Sequence, residues 1–486
     1  MQRKFITNLG LLLLLNLLIK PFWVFGIDRT VQNVVGSEEF GFYFTVFNFS
    51  FLFNILLDLG ITNFNNRNIA QNKQLLSKHF SGIVSLKLIL GFVYFIITLG
   101  LAFLWGYRGE KLSLLALVGF NQFLLQFLLY LRSNISGMLM FRAESLMSVL
   151  DRTLMIIIMS VLLWGGFTSS PFKIEWFVYG QTAAYVIAVI IAYFVVVAKS
   201  KSLKINWNIP FFLMILRKSA PFALLTLLMT FYNRIDTVML DKLLPGSEGE
   251  IQSGIYAHAY RILEATNQMS FLFAVLLLPL FSHLIKSGQD ADLAKIARVA
   301  FSLLFVGTLT LAVASYFYST EIMNLLYDEH IKESASVYSI IIFGVIAVGA
   351  SYVFATLLTA NNDLKSLNYI AAGSVTISLF MNIILVPELM AKGSAIANLS
   401  ALGFSTIIQL LIVRKKFSLK FGSVFFIRLG LFILLNGIIF YSSTYFDFVD
   451  WWVRMLIAIG LSILTAIILR LLNLREFVQI IKVRDS

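Results

Sequence analysis

Ile27-Asp28-Arg29-Thr30-Val31, a polar turn, Phe40-Gly41-Phe42-Tyr43 and then Phe49-Ser50-Phe51-Leu52-Phe53 are echoed further along the chain. The echo reads Ile235-Asp236-Thr237-Val238, a polar turn, Ser253-Gly254-Ile255-Tyr256 and Met269-Ser270-Phe271-Leu272-Phe273. One matched dipeptide carries no weight. Three matched anchors in the same order at similar spacing point to an internal duplication. Each copy is a pair of apolar spans, and six spans separate the copies. An even number makes both copies cross a membrane in the same sense, so the pseudo-twofold between them lies along the membrane normal. The expected fold is therefore an all-α polytopic membrane protein of two six-helix lobes, with two further C-terminal helices.

Composition agrees. Of 486 residues, 59% are hydrophobic and 13% charged, against about a quarter charged in a soluble chain. At about 20 apolar residues per span, there is room for about fourteen. They are expected near 6–27, 40–64, 81–104, 112–140, 145–165, 174–198, 219–241, 254–283, 297–318, 335–360, 367–386, 394–413, 429–445 and 452–471. No A-x-A-like site follows the first span, which reads as permanent and not as a cleaved signal. A cytosolic enzyme, a secreted disulfide scaffold and a single-span receptor are excluded. The chain has no Cys and four His, none in an H-x-x-x-H pair, which argues against thiolate chemistry and a metal site.

The +13 net charge reads as basic cytoplasmic loops, not as nucleic-acid binding. The N-terminus and every second loop hold 25 Lys and Arg, and the alternate loops hold 8. Both termini are expected in the cytoplasm, with the chain multi-pass in the membrane. The expected division is a lobe over 1–200, a basic linker over 201–218, a second lobe over 219–414, and helices thirteen and fourteen with a basic tail over 415–486. Five bases fall inside spans: Lys20, Lys87, Arg132, Arg234 and Arg261. Charge is costly there and reads as functional by default.

Polar residues recur one turn apart on the duplicated hairpins: Ser50, Asn54, Asp58, Thr62 and Asn65 on span two, and Thr226, Thr230, Arg234, Thr237 and Asp241 on span seven. Span eight carries His258, Arg261 and Gln268 with Glu264 and Asn267 beside them, and span one carries Asn16, Lys20, Asp28 and Gln32. Such stripes are expected to face a shared aqueous cleft. The cavity residues expected to matter are Asp28, Arg29, Asn54, Asp58, Arg234, Asp236, His258, Arg261, Glu264 and Gln268. Other readings stand beside this one. Arg261 and Glu264 at i, i+3 can form a private ion pair, Asp236 can pair with Arg234 or another helix, and Thr can bond back to the preceding turn. Asp58, if alone and partly desolvated, reads as a proton carrier; if a base such as Arg67 or Arg29 approaches it, it reads as an ionised gate.

The run Phe25-Gly26-Ile27-Asp28-Arg29-Thr30-Val31-Gln32-Asn33-Val34-Val35-Gly36, the following Glu39-Phe40-Gly41-Phe42-Tyr43, and Leu57-Asp58-Leu59-Gly60-Ile61-Thr62-Asn63-Phe64 resemble the polysaccharide-export branch of the multidrug/oligosaccharidyl-lipid/polysaccharide (MOP) superfamily. That branch includes the Wzx-type flippases of lipid-linked O-antigen and capsule repeat units. The resemblance extends over nearly the whole chain through span count and lobe organisation. The related lipid II flippases have an Arg-Asp pair in the first helix. Asp28 falls on that Asp, but Ile27 stands where the Arg would be, which points away from lipid II and leaves anion recognition to Arg29, Arg234 and Arg261.

The resemblance implies flipping of an undecaprenyl-diphosphate-linked oligosaccharide, as used for lipopolysaccharide O-antigen or capsule, by alternating access. The lipid-linked oligosaccharide and membrane lipids are the expected partners, with a polysaccharide polymerase and glycosyltransferases as candidate neighbours and no nucleic acid. No cofactor is expected, and no phosphate-cradling loop or Ser-His-Asp pattern is present. Work must come from protons, sodium, the membrane potential or the substrate's own gradient. One alternative is a cation-coupled drug or metabolite antiporter of the same superfamily. Another is a polytopic glycosyltransferase or polymerase, which the small outside loops disfavour.

Overall fold

The computed structural model describes residues 15–16, 18–138, 140–166, 171–200, 207–417, 422–446 and 448–472, and all regular structure among them is helical. The helices are α1 (Arg29–Leu52), α2 (Ile61–Gln71), α3 (Leu75–Trp105), α4 (Gly109–Gly137), α5 (Phe141–Trp164), α6 (Ile174–Ser200), α7 (Ile209–Leu243), α8 (Glu248–Lys286) and α9 (Asp290–Phe317). They continue with α10 (Ser319–Leu326), α11 (Ile331–Ile341), α12 (Gly344–Ala360), α13 (Leu364–Lys416), α14 (Ser423–Ser443) and α15 (Trp451–Ile468). Among the described residues, nine helices are long and apolar enough to cross a membrane. The protein is an all-α polytopic membrane protein.

One of the nine, α13, accounts for two expected spans. Its 53 residues would reach about 80 Å if straight, against a hydrocarbon core of about 30 Å. The backbone leaves helical geometry at Met390 (φ 53°, ψ −134°), three residues after Pro387. Ser394 Oγ then donates to Asn382 Oδ1 at 2.7 Å, a contact across residues that a straight helix holds about 18 Å apart. The chain has reversed.

Two expectations need correction at the first hairpin. The polar turn expected between Val31 and Phe40 is mostly helix: α1 begins at Arg29, and the direction changes at Gly36 (φ 80°, ψ 169°). Just before it, Trp23–Asp28 forms a π turn. Pro21 lies shortly upstream, where its missing N–H disturbs the regular ladder. Second, span two is not one helix over 40–64. It stops at Leu52, passes through a 3₁₀ turn at Asn54–Leu57 and restarts at Ile61 as α2.

By packing, the chain forms two compact units, Met1–Gly254 and Ile255–Ser486. The boundary falls within α8, later in the chain than the basic linker 201–218, of which 201–206 lie outside the described residues. In the first unit, α4 packs against α6, α2 and α1, and α1 against α7. There the two segments matched in the sequence meet at their glycines. A Cβ on Gly41 would stand 1.8 Å from the Glu250 carbonyl oxygen, and one on Gly254 would stand 2.0 Å from that of Ser37. Only glycine permits this backbone approach. In the second unit, α14 and α15 pack on each other and on α9. Phe432, Phe440, Ala458 and Ala466 bury against Val306, Leu309 and Val313. Thr310 bonds Ser462 at 2.8 Å and accepts from Asn436 Nδ2 at 3.3 Å, satisfying polar groups that lipid would leave bare.

Candidate substrate cavity

The break in span two builds the site. Leu59 (φ 46°) and Gly60 (φ 82°) both adopt left-handed backbone. Glycine does so freely and leucine at a cost of about 1–2 kcal/mol, so the right-handed helix cannot continue through them. Asp58 caps the restarted helix, its carboxylate accepting from Thr62 N at 3.2 Å and from the Thr62 hydroxyl. The Leu57 carbonyl accepts from Lys87 Nζ of α3 at 3.0 Å, and the same ammonium forms an ion pair with Asp58. The Lys87 side chain is 1% exposed and that of Asp58 14%. A discontinuous span whose freed backbone and side chains gather charge at membrane depth is a recurrent way for transporters to make a site.

Asp58 is thus not alone: the base beside it is Lys87, and the side chain of Arg67, one of the two bases expected there, lies outside the described residues. Lys87 sits in the most apolar of the spans found among the described residues, of mean hydropathy 2.4. A lone ammonium there has to find an acid. The sequence does not name Asp58 as that acid, because the two residues lie on different spans whose facing sides only packing settles.

Beyond Asp58 opens a cavity of about 220 Å³ lined by Phe51, Asn54, Ile55, Asp58, Gly60, Gln126, Thr226 and Thr230. The stripes of spans two and seven therefore meet at one cavity, joined by Gln126 of α4, which periodicity did not single out. Asn54 donates to Gln122 Oε1 at 2.7 Å and accepts from Gln126 Nε2. One step along, Asn65 Nδ2 donates to Ser133 Oγ at 2.9 Å and to Asn134 Oδ1 at 3.1 Å. Much of the span-two stripe is thereby a polar ladder to α4. Thr230 bonds back to the Thr226 carbonyl at 2.8 Å. The cavity is smaller than the roughly 300–1,000 Å³ of pockets that enclose a whole ligand, so it suits one polar group of a larger molecule.

Arg234, one turn from Thr230, donates to Asn48 Oδ1 at 3.3 Å and lies 4.8 Å over the ring of Phe51, a cavity wall. Asn48 Nδ2 in turn donates to Thr237 Oγ1 at 2.9 Å. Asp236 is buried. Asp28 is buried and accepts from Gln32 Nε2 at 2.9 Å, with Arg29 half-buried next to it. At the other end of the hairpin contact, Lys111 at the start of α4 pairs with Asp241 of α7 and, at 3.1 Å, with Glu250 of α8. In the second unit, Arg261 and Glu264 form the i, i+3 pair at 3.1 Å. His258 is enclosed, its Nδ1 2.9 Å from Ser334 Oγ and its ring stacked on Tyr327 at 3.9 Å. The side chain of Gln268 lies outside the described residues. Among the described residues, no group of His, Asp and Glu could hold a metal ion.

Residues 7–285 match the family model described as "Polysaccharide biosynthesis protein". No curated protein matches. Among solved structures, the lipid II flippase MurJ in an inward closed conformation is 16% identical, with a TM-score of 0.70 over 96% of this chain and 100% of that one. A multidrug resistance MATE family transporter of the MOP superfamily, inward-facing, is 17% identical with a TM-score of 0.65, over 85% and 98% of the two chains. A MOP superfamily transporter from Pyrococcus furiosus with a binding pocket of reverse polarity is 16% identical with a TM-score of 0.56, over 85% and 93%. At these identities the likeness is one of fold. The family match covers more than half of the chain and makes this chain a member of the polysaccharide biosynthesis protein family, built on the MOP transporter fold.

Proposed function

We propose that the protein flips an undecaprenyl-diphosphate-linked oligosaccharide repeat unit, of the O-antigen or capsule kind, from the cytoplasmic to the outer leaflet of the bacterial inner membrane by alternating access. The observation that carries this reading is the wall of the cavity. Among the described residues that line it, the one carboxylate, Asp58, is matched by Lys87, and the remaining polar lining is amide and hydroxyl. Neutral donors and acceptors beside an aromatic ring suit a sugar. A cationic drug needs an acid without a cation of its own. The cavity takes one sugar of the repeat unit, the prenyl tail stays in lipid, and the diphosphate is drawn by in-span cations such as Arg234 through charge-assisted bonds. Both termini face the cytoplasm, where glycosyltransferases make the substrate, and the product passes to a polymerase outside.

The test is a proteoliposome assay that follows lipid-linked oligosaccharide into the distal leaflet, run beside efflux of a cationic dye. Movement of the glycolipid without dye efflux supports the flippase. Dye efflux abolished by Asp58→Asn, with no glycolipid movement in the wild type, rejects it for a cation-coupled antiporter.

A further inference from the structure

The start of α7 is apolar on two sides at once. One side buries Phe212 and Ile215, 6% and 0% exposed, among Leu76, Phe80 and Ile83 of α3. The Phe211 ring lies 5.0 Å from that of His79 and against Gly82, where a Cβ would stand 2.9 Å from it. At the far end of the same two helices, Lys242 Nζ donates to the Trp105 carbonyl at 3.0 Å. α3 and α7 thus touch at both starts and at both ends, and run in parallel. α7 also packs on α2, so its start sits over the corner between α2 and α3. The Asn208 side chain accepts from Phe211 N at 3.0 Å and caps the helix there.

The opposite side is bare. Ile209, Leu213 and Arg217 follow one turn apart, with Trp207 just before them, and Trp207, Ile209 and Leu213 are 64%, 68% and 61% exposed. A helix apolar all round needs lipid on whatever side protein leaves open. Around this stripe the charge has one sign. Lys73 between α2 and α3, Lys78 in the first turn of α3, Lys199 at the end of α6 and Arg217 are all exposed. The sequence has no Asp or Glu over 59–109 or over 176–235, and among the described residues none of the four bases forms an ion pair.

Depth orders two of them. At the 1.5 Å rise of a helix, Lys78 lies about 6 Å before Gly82 on α3, and Arg217 about 9 Å beyond Phe211 on α7, with Gly82 and Phe211 in contact between them. Lys78 stands at the rim. Arg217 lies about two turns inside, and a guanidinium on a long stem reaches back toward the rim from there.

We propose that this end of the first unit is a docking surface for an anionic phospholipid of the membrane, its phosphate between Lys78 and Arg217 and its acyl chain along Trp207, Ile209 and Leu213. Lys73 and Lys199 add to the attracting field. A soluble anion would meet the cations but leave the apolar stripe bare. A zwitterionic lipid would cover the stripe but bring a cation of its own to the bases. The surface is separate from the cavity at Asp58, and its occupancy does not depend on what the protein transports.

The experiment places the purified full chain in neutral micelles and adds phosphatidylglycerol or phosphatidylcholine brominated on the acyl chain, reading tryptophan quenching. The part of the signal lost in Trp207→Phe reports the surface. With two bases at about five-fold each, brominated phosphatidylglycerol should quench that part at a mole fraction about ten-fold or more below that needed for brominated phosphatidylcholine. Lys78→Gln and Arg217→Gln should each cost about five-fold, whereas Lys365→Gln, an exposed base of the second unit, should cost nothing. Leu213→Asn should weaken the quenching by both lipids. Equal quenching by the two lipids overturns the proposal, and so does a loss in Lys365→Gln as large as that in Arg217→Gln, which would reduce the surface to overall charge. Glycerol phosphate and farnesyl diphosphate are the competitors. Displacement of the brominated lipid by glycerol phosphate assigns the bases to a soluble anion, and displacement by farnesyl diphosphate at a concentration far below that of unbrominated phosphatidylglycerol assigns the surface to a prenyl diphosphate; either result overturns the phospholipid.

Discussion

The Asp58–Lys87 pair should respond unequally to loss of its two members. Asp58→Asn leaves the Lys87 ammonium, 1% exposed, with the Leu57 carbonyl at 3.0 Å and the Tyr130 ring at 5.9 Å as its remaining partners. Removing one partner from a buried pair costs about 3–5 kcal/mol, roughly a hundred- to several-thousand-fold in the folding equilibrium at about 1.4 kcal/mol per factor of ten. Lys87→Met strands the carboxylate instead, yet Asp58 still accepts from Thr62 and opens on the cavity. Its cost should fall to about 1–3 kcal/mol, the range for a polar group short of a partner. The double variant Asp58→Asn/Lys87→Met removes both charges and should be more stable than Asp58→Asn alone, with a coupling energy of about 2 kcal/mol or more. Thermal and denaturant unfolding in one detergent, with monodispersity as the control, measures all four proteins. Equal losses from the two single variants, or a double variant as unstable as the sum of both, would show that the pair does not carry the break in span two.

Two further outcomes follow from the packing. Gly41→Ala or Gly254→Ala places a Cβ within 2.0 Å of a backbone carbonyl of the facing helix, which no side-chain movement relieves. Spin labels at Glu38 and Ser247 should move apart, and Lys111→Gln, which removes the Asp241 and Glu250 pairs, should move them in the same direction by less. Unchanged label distances in all three variants would refute the hairpin contact. At the start of α13, burial alone pushes the Asp363 carboxyl up, but hydrogen bonds from Lys416 and Ser366 outweigh it and hold it below the usual carboxylate range. A group depressed on folding adds stability above its unfolded pKa that is lost as pH falls through its folded one. Hydrogen exchange at Ser366, corrected for intrinsic rate, should therefore speed up below about pH 4. In Asp363→Asn it should show no such step, and an identical acid step in that variant would reject the cap.

Some of this was written in the sequence itself. Apolar runs of span length leave few alternatives in lipid, because backbone groups there must bond within the helix, so hydrophobic periodicity and the uneven distribution of Lys and Arg suffice for an all-helical, multi-pass chain. The glycines of the two matched segments, Gly41 and Gly254, turn out to touch. The stripe containing Asn54, Asp58, Thr226 and Thr230 marked residues that do line a cavity.

Other features needed the third dimension. A regular helical stripe assumes an unbroken helix, and the left-handed backbone at Leu59 and Gly60 reorients everything after it. Asp58 and Lys87 lie 29 residues apart, and Lys111 and Asp241 lie 130 apart, on elements whose facing sides are settled by packing and not by local propensity. Periodicity tells which side of a helix is polar, but not whether a polar side meets an open cavity, as at Thr226 and Thr230, or a neighbour that satisfies it, as Asn65 meets Ser133 and Asn134. That distinction rests on distances of a few ångströms between spans, which are set only when every helix has found its partners.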